Sequence, residues 1–169
     1  MKERLERLMG PRARELTAGT YHAFCAGVLR REGQHLGLDR AFVIYDQEDQ
    51  LAVLKQAMEA AEIDPQRFAL RSLLSAISSA KSQLLDPEAY AAGRSSYLEE
   101  VVSKAYQRYQ ELLHRNTAVD FDDLLLKTYI LFRDNAPVLD KYQSRYVHLL
   151  IDEFQDTNVV QYTIARQIA

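Results

Sequence analysis

Two carboxylates stand side by side at Asp152-Glu153, with an amide at Gln155 and a further acid at Asp156. Adjacent acids of this kind suit phosphoryl transfer, in which one holds Mg²⁺ against nucleotide phosphates and its neighbour orients or deprotonates the attacking water. The residues before them strengthen that reading. Five of the six residues from Tyr146 to Ile151 are apolar or aromatic, as in a strand buried on both faces of a parallel sheet, which would deliver the acids at its C-terminal end. The dipeptide by itself also fits the solvated start of a loop.

Three other stretches carry side chains that could act. In Leu16-Thr17-Ala18-Gly19-Thr20-Tyr21-His22, a β-prone segment runs into helical spacing at Phe24, Val28 and Leu29; a strand feeding a helix offers N–H groups, Thr20 and His22 to a phosphate. A turn threonine and a half-buried histidine are the plainer account. Between about Ala69 and Leu84, Leu70, Leu73, Leu74, Ile77 and Leu84 mark a buried face, while Arg71, Ser75, Ser78 and Ser82 share another. That second face could follow a phosphate backbone or simply be solvated. Lys81 falls toward the apolar side, so it must snorkel at an edge or reach for a partner. In Val119-Asp120-Phe121-Asp122-Asp123-Leu124 the acids resemble a metal site, but an N-cap with an acidic first turn explains them better.

The elements that must position these groups are mostly helical. Six glycines and four prolines in 169 residues leave room for long helices and short connections, and the length allows one good core or two small ones. Amphipathic spacing predicts helices over Lys2–Met9, from Asp46 to near Ile63-Asp64-Pro65, from Ala69 to Leu84, from Ser96 to Arg115, after Asp120 and from Thr157 or Asn158 to Ile168. Phe42–Tyr45 reads as a short extended piece. One cysteine, Cys25, excludes an intramolecular disulfide within this sequence and suits a reducing, cytoplasmic setting. No apolar run approaches the ~20 residues of a membrane span. The net charge of −3 is uneven: residues 1–40 hold eight Lys/Arg against five Asp/Glu, and 46–62 hold one against five. Any nucleic acid must therefore be held by local patches.

The string Ile151-Asp152-Glu153-Phe154-Gln155-Asp156-Thr157-Asn158 resembles the Walker B box, motif II, of superfamily 1 DNA helicases of the UvrD/PcrA/Rep type. Gly19-Thr20-Tyr21-His22 resembles their motif Ib, with Tyr21 and Ala23 departing from the commonest letters. Ser79-Ala80-Lys81 and Asp120-Phe121-Asp122-Asp123-Leu124 match further segments of that family. The resemblance implies a mainly α chain in which a helical subdomain 1B, residues 42–135, is inserted into part of an α/β RecA-like subdomain 1A, residues 1–41 and 136–169. The parent would be an ATP-dependent 3′ to 5′ DNA helicase or translocase of repair or replication, using Mg²⁺ and ATP. It would engage single-stranded DNA, duplex junctions and the rest of its own chain, with no membrane.

In that frame Asp152 is the Mg²⁺ ligand, Glu153 the general base, and Gln155 with Asp156 couples nucleotide to DNA. Thr20, His22, Arg71, Ser78, Lys81 and Ser82 would be DNA contacts. No glycine is followed by lysine, so the Gly-x-x-x-x-Gly-Lys-Ser/Thr phosphate loop is not in this sequence. The expectation is a fragment that is inactive alone and carries no cofactor. A free-standing, non-catalytic helical DNA-binding or adaptor module is the alternative. The strands at Thr17–Tyr21 and Val147–Ile151 are expected to pair within a remnant of parallel sheet.

Overall fold

Polar residues placed one step before apolar repeats decide where the helices of this chain begin. The computed structural model describes Arg7, Gly10, Pro11 and residues 16–169. The expected helix over Lys2–Met9 therefore lies outside the described residues. Eight α-helices follow: α1 (Tyr21–Glu32), α2 (Gln47–Ala60), α3 (Leu70–Ser82), α4 (Pro87–Gly93), α5 (Tyr97–Arg115), α6 (Phe121–Asp134), α7 (Ala136–Arg145) and α8 (Val159–Ile168). Capping boxes open four of them, Asp46 with Asp49, Ser96 with Glu99, Asp120 with Asp123, and Asn158 with Gln161. Each box satisfies N–H groups that the first turn leaves without an intrahelical partner. Asp86 caps α4, whose Pro87 occupies the first turn, where a missing N–H does no harm.

Strand pairing departs from expectation. Among the described residues the sheet consists of β1 (Val43–Ile44) and β2 (Ala118–Val119), parallel, with Val43 opposite Ala118 and Ile44 opposite Val119. Val43 N–H donates to the Thr117 carbonyl at 3.0 Å and Tyr45 N–H to the Val119 carbonyl at 2.9 Å. Neither Thr17–Thr20 nor Val147–Ile151 forms a strand, and Tyr21 is already the first residue of α1. The two segments do approach each other, since the Thr17 and Tyr146 hydroxyls lie 3.1 Å apart. What is missing is a ladder: an apolar run becomes a strand only when another strand takes up its N–H and C=O groups.

The paired strands mark a division of the core. On one side, Cys25, Val28 and Leu29 of α1 pack with Leu124, Leu131 and Phe132 of α6, Tyr142 of α7, and Val160 and Ile164 of α8. On the other, Leu54 and Met58 of α2, Leu73 and Ile77 of α3, and Val102, Tyr106, Tyr109 and Leu113 of α5 form a second cluster. Val119 belongs to the first and its neighbour Ala118 to the second. The chain enters the α2–α5 body at β1 and leaves it at β2; the apolar side chains of α6 then join those of α1, while its first turn also meets α3. Gly37, at φ +68°, closes the short 3₁₀ turn Gly33–Leu36 that leads from α1 toward β1. None of the described helices is long and apolar enough to cross a membrane.

Candidate functional site

The segment from Val147 to Ile151 has no regular structure; Val147–Leu150 are exposed, Val147 by 79% and Leu150 by 96%, and Ile151 is half-buried. Asp152 and Glu153 follow, both exposed, with the Glu153 N–H donating to Asp152 Oδ1 at 3.1 Å. Glu153 sits in the left-handed region, φ 50° and ψ 45°, which a side chain other than Gly, Asn or Asp rarely adopts. Its C=O accepts from the Asp156 N–H at 2.9 Å, closing the one-turn 3₁₀ helix Phe154–Asp156. The Gln155 side-chain amide donates to the Glu153 carboxylate. Glu62, Leu84 and Thr117 take the same left-handed φ elsewhere in the chain, so the conformation shapes this turn without by itself marking a site. Asn158 then caps α8, with Phe154 edge-on to Tyr162 at 6.3 Å.

Hard carboxylate oxygens facing solvent suit Mg²⁺, which typically takes one or two carboxylates and leaves its other positions to water and phosphate oxygens. Asp152 and Glu153 meet that requirement and no more. Among the described residues no group of three or more His, Cys, Asp or Glu side chains is placed to hold a metal.

At the start of α1 the Thr20 hydroxyl accepts from the Ala23 N–H at 3.2 Å, so this residue acts as an N-cap while its side chain stays at the surface. His22, half-buried in the first turn, meets Phe121 edge-to-face with ring centroids 5.7 Å apart. Phe121 is the first residue of α6. The stretch Thr20–His22 and the stretch Asp120–Asp123, 98 residues apart at their near ends by chain number, thus share one surface.

On α3, Arg71 and Ser75 are exposed, and Ser78 and Ser82 are half-buried. Lys81 is not among them. Its side chain is fully buried, with Nζ 2.6 Å from Asp120 Oδ2 and 2.9 Å from Asp123 Oδ1. The Tyr109 hydroxyl donates to Asp120 Oδ2 at 3.0 Å, and the Gln110 amide to Asp123 Oδ1 at 2.8 Å. The ammonium also lies 5.2 Å from the Tyr109 ring centroid and 5.7 Å from that of Tyr106. The expected role of Lys81 as a DNA contact is thereby corrected: with no exposed atom of its side chain to offer, it neutralises carboxylates inside the protein.

The electrostatics of this cluster agree with its geometry. Burial pulls the Lys81 ammonium down, but Asp120, Asp123 and the Tyr106 ring region outweigh it and its pKa is raised, so it stays charged. Burial and the neighbouring Asp123 charge push Asp120 up. Asp123 is also penalised by burial, yet Lys81 and then Lys127 hold it below the ordinary carboxylate range. Cys25, buried beside Thr128, is pushed up to about 12 by desolvation, an inert thiol. The sequence singled out Lys81 and Asp120–Asp123 separately. Only the off-phase position of Lys81 on an apolar helix face signalled that it needed a partner, and nothing local identified Tyr109 or Gln110.

Comparison with known proteins bears on the whole chain. The UvrD/REP helicase N-terminal domain matches residues 1–169. The chain is similar to the "ATP-dependent DNA helicase PcrA" of Bacillus subtilis (strain 168), 41% identical over 169 residues, which is 100% of this chain and 23% of that protein. Proteins of the same description from Staphylococcus epidermidis and Staphylococcus aureus are 37% identical, again over 100% of this chain and 23% of theirs. The chain thus spans about a quarter of the length of these relatives. With a match from its first residue to its last, the chain belongs to the UvrD/REP helicase family.

Proposed function

We propose that this chain forms part of an ATP-driven motor that moves along single-stranded DNA, 3′ to 5′, and opens duplex at a junction. The observation that carries this reading is the exposed pair Asp152-Glu153, held at a tight turn behind an apolar segment that is itself exposed. Mg²⁺, bound there with nucleotide, would supply charge neutralisation at the phosphates. Asp152 would hold the cation. Glu153 would accept the proton of the attacking water, with the Gln155 amide fixing its carboxylate in place. Relatives described as ATP-dependent DNA helicases support the same assignment.

The subdomain division follows the two cores. The α2–α5 body, bounded by β1 and β2, is the helical subdomain 1B, and α1, α6, α7 and α8 belong to the RecA-like subdomain 1A. The joint core of α6 and α1 supports placing the second boundary near residue 119 rather than 135. Thr20 and His22 would lie along the strand backbone, and Arg71, Ser78 and Ser82 beside the duplex, in contacts with phosphate rather than with bases.

Two measurements on the 169-residue chain test this. No DNA-stimulated ATP hydrolysis is expected, because no Gly-Lys phosphate loop occurs in its sequence. Forked DNA should bind weakly and with steep salt dependence, and Arg71→Ala should lower the slope of log K against log salt by roughly one. Turnover abolished by Glu153→Gln would refute the first expectation, and salt-insensitive binding the second.

A further inference from the structure

The buried cluster joins three helices across the boundary between the two cores. Lys81 comes from α3 and Tyr109 and Gln110 from α5, all in the α2–α5 body, whereas Asp120 and Asp123 form the capping box of α6 in the other. Asp120 does two jobs at once: Oδ1 accepts from the Asp123 N–H at 2.7 Å, and Oδ2 takes both Lys81 and Tyr109. Between these two anchors in sequence stands Phe121, whose ring meets that of His22 edge-to-face. β2 ends at Val119, immediately before Asp120. The point where the chain leaves the helical body, the cap of α6 and the His22 contact are therefore consecutive in both sequence and space.

Two carboxylates and one ammonium leave a buried excess of negative charge, which the N-terminal dipole of α6 and the nearby Lys127 offset. Without the ammonium, both acids would remain buried and face each other uncompensated. The first turn of α6 would then have to open toward water, and Phe121 would move with it.

We propose that Lys81 is a positioning residue: through Asp120 and Asp123 it fixes the helical body on the first turn of α6 and so sets Phe121 against His22. Its functional weight rests on the reading that the α1 N-terminus lies along DNA; its structural part does not.

The His22 imidazole resonances of the 169-residue chain report the contact, because the Phe121 ring displaces them and Phe121→Leu defines the position without it. Lys81→Met is expected to move the His22 signals at least halfway to the Phe121→Leu position. The charge-free variant Lys81→Met/Asp120→Asn/Asp123→Asn, in which Asn still caps the helix, should return them to the wild-type position. A folded Lys81→Met with wild-type His22 signals, or a charge-free variant left at the Phe121→Leu position, would overturn the proposal. Should Lys81→Met not fold, Asp123→Ala keeps a neutral Lys81–Asp120 pair while removing half of the network. It should shift His22 in the same direction by less, and wild-type signals there would overturn the proposal equally. Anisotropy with a single-stranded oligonucleotide separates the two claims. If His22→Ala binds like wild type while the His22 signals follow Lys81, the DNA reading fails and the coupling stands; if His22→Ala weakens binding while the signals ignore Lys81, the coupling fails alone.

Discussion

Asp120 and Asp152 occupy like places in the chain, each following a short apolar stretch and opening a helical turn, yet they end in opposite environments. Val119 is fully buried and paired with β1, and Asp120 and Asp123 behind it are saturated by Lys81, Tyr109, Gln110 and backbone. Ile151 has no strand partner, Val147–Leu150 before it are exposed, the Asp152 carboxylate accepts from the Glu153 N–H, and the Glu153 carboxylate accepts from the Gln155 amide. Burying charge is expensive, so acids inside a protein are found paired. Acids kept at the surface on a tight turn are free to hold something else. The first pair is consumed by the fold, and the second is left exposed, as its proposed role requires.

The largest effect should come from breaking the saturated pair. Lys81→Met is expected to lower the unfolding free energy of the 169-residue chain by about 3–5 kcal/mol, the usual consequence of leaving a buried charge without its partner. Urea titration followed by circular dichroism measures it. Its pH dependence has a definite sign. Without Lys81, the buried acids have folded-state pKa values above those of the unfolded chain, so the folded state binds more protons. Stability that is fully present below the ordinary carboxylate range is then lost as pH rises through the raised folded values. Lys81→Met should therefore lose stability progressively as pH rises above the ordinary carboxylate range. In the wild type, the depressed Asp123 contributes the reverse: stability present above the ordinary carboxylate range and lost on acidification.

A smaller effect tests whether the exposed region contributes structure of its own. Asn158→Ala removes the side chain that accepts from the Gln161 N–H at 2.9 Å at the start of α8 and should cost about 1 kcal/mol. Smaller still, Asp152→Asn and Glu153→Gln in the 169-residue chain should each change stability by no more than about 0.5 kcal/mol. A loss near that of Lys81→Met for either one would mean the two regions do not differ as described.

Much of this was legible in the sequence. Caps at Asp46, Ser96 and Asp120, with apolar repeats behind them, located three long helices, because capping and amphipathic spacing are local properties. The periodicity of α3 also placed Lys81 on the wrong face for a charge. Its partners were not legible: Asp120 is 39 residues away, and proximity across that distance depends on how α3 and α6 pack. Strands failed for the same reason. Val147–Ile151 has the composition of a buried strand, but composition says what a segment can pair with and not whether a neighbour is present. Ala118–Val119 is too short to show a pattern and pairs because β1 lies beside it. The acids at 152 and 153 were recognised from their motif, and their role rests on it together with their exposure.

The account turns on Glu153, and DNA-stimulated ATP hydrolysis by a protein of the relatives' full length carrying this sequence tests it most directly. Glu153→Gln is expected to cut kcat by about 10² or more while nucleotide still binds, as loss of a general base does when shape is retained. Asp152→Asn should weaken Mg²⁺-dependent nucleotide binding as well. Small and equal effects of the two substitutions would contradict the assignment.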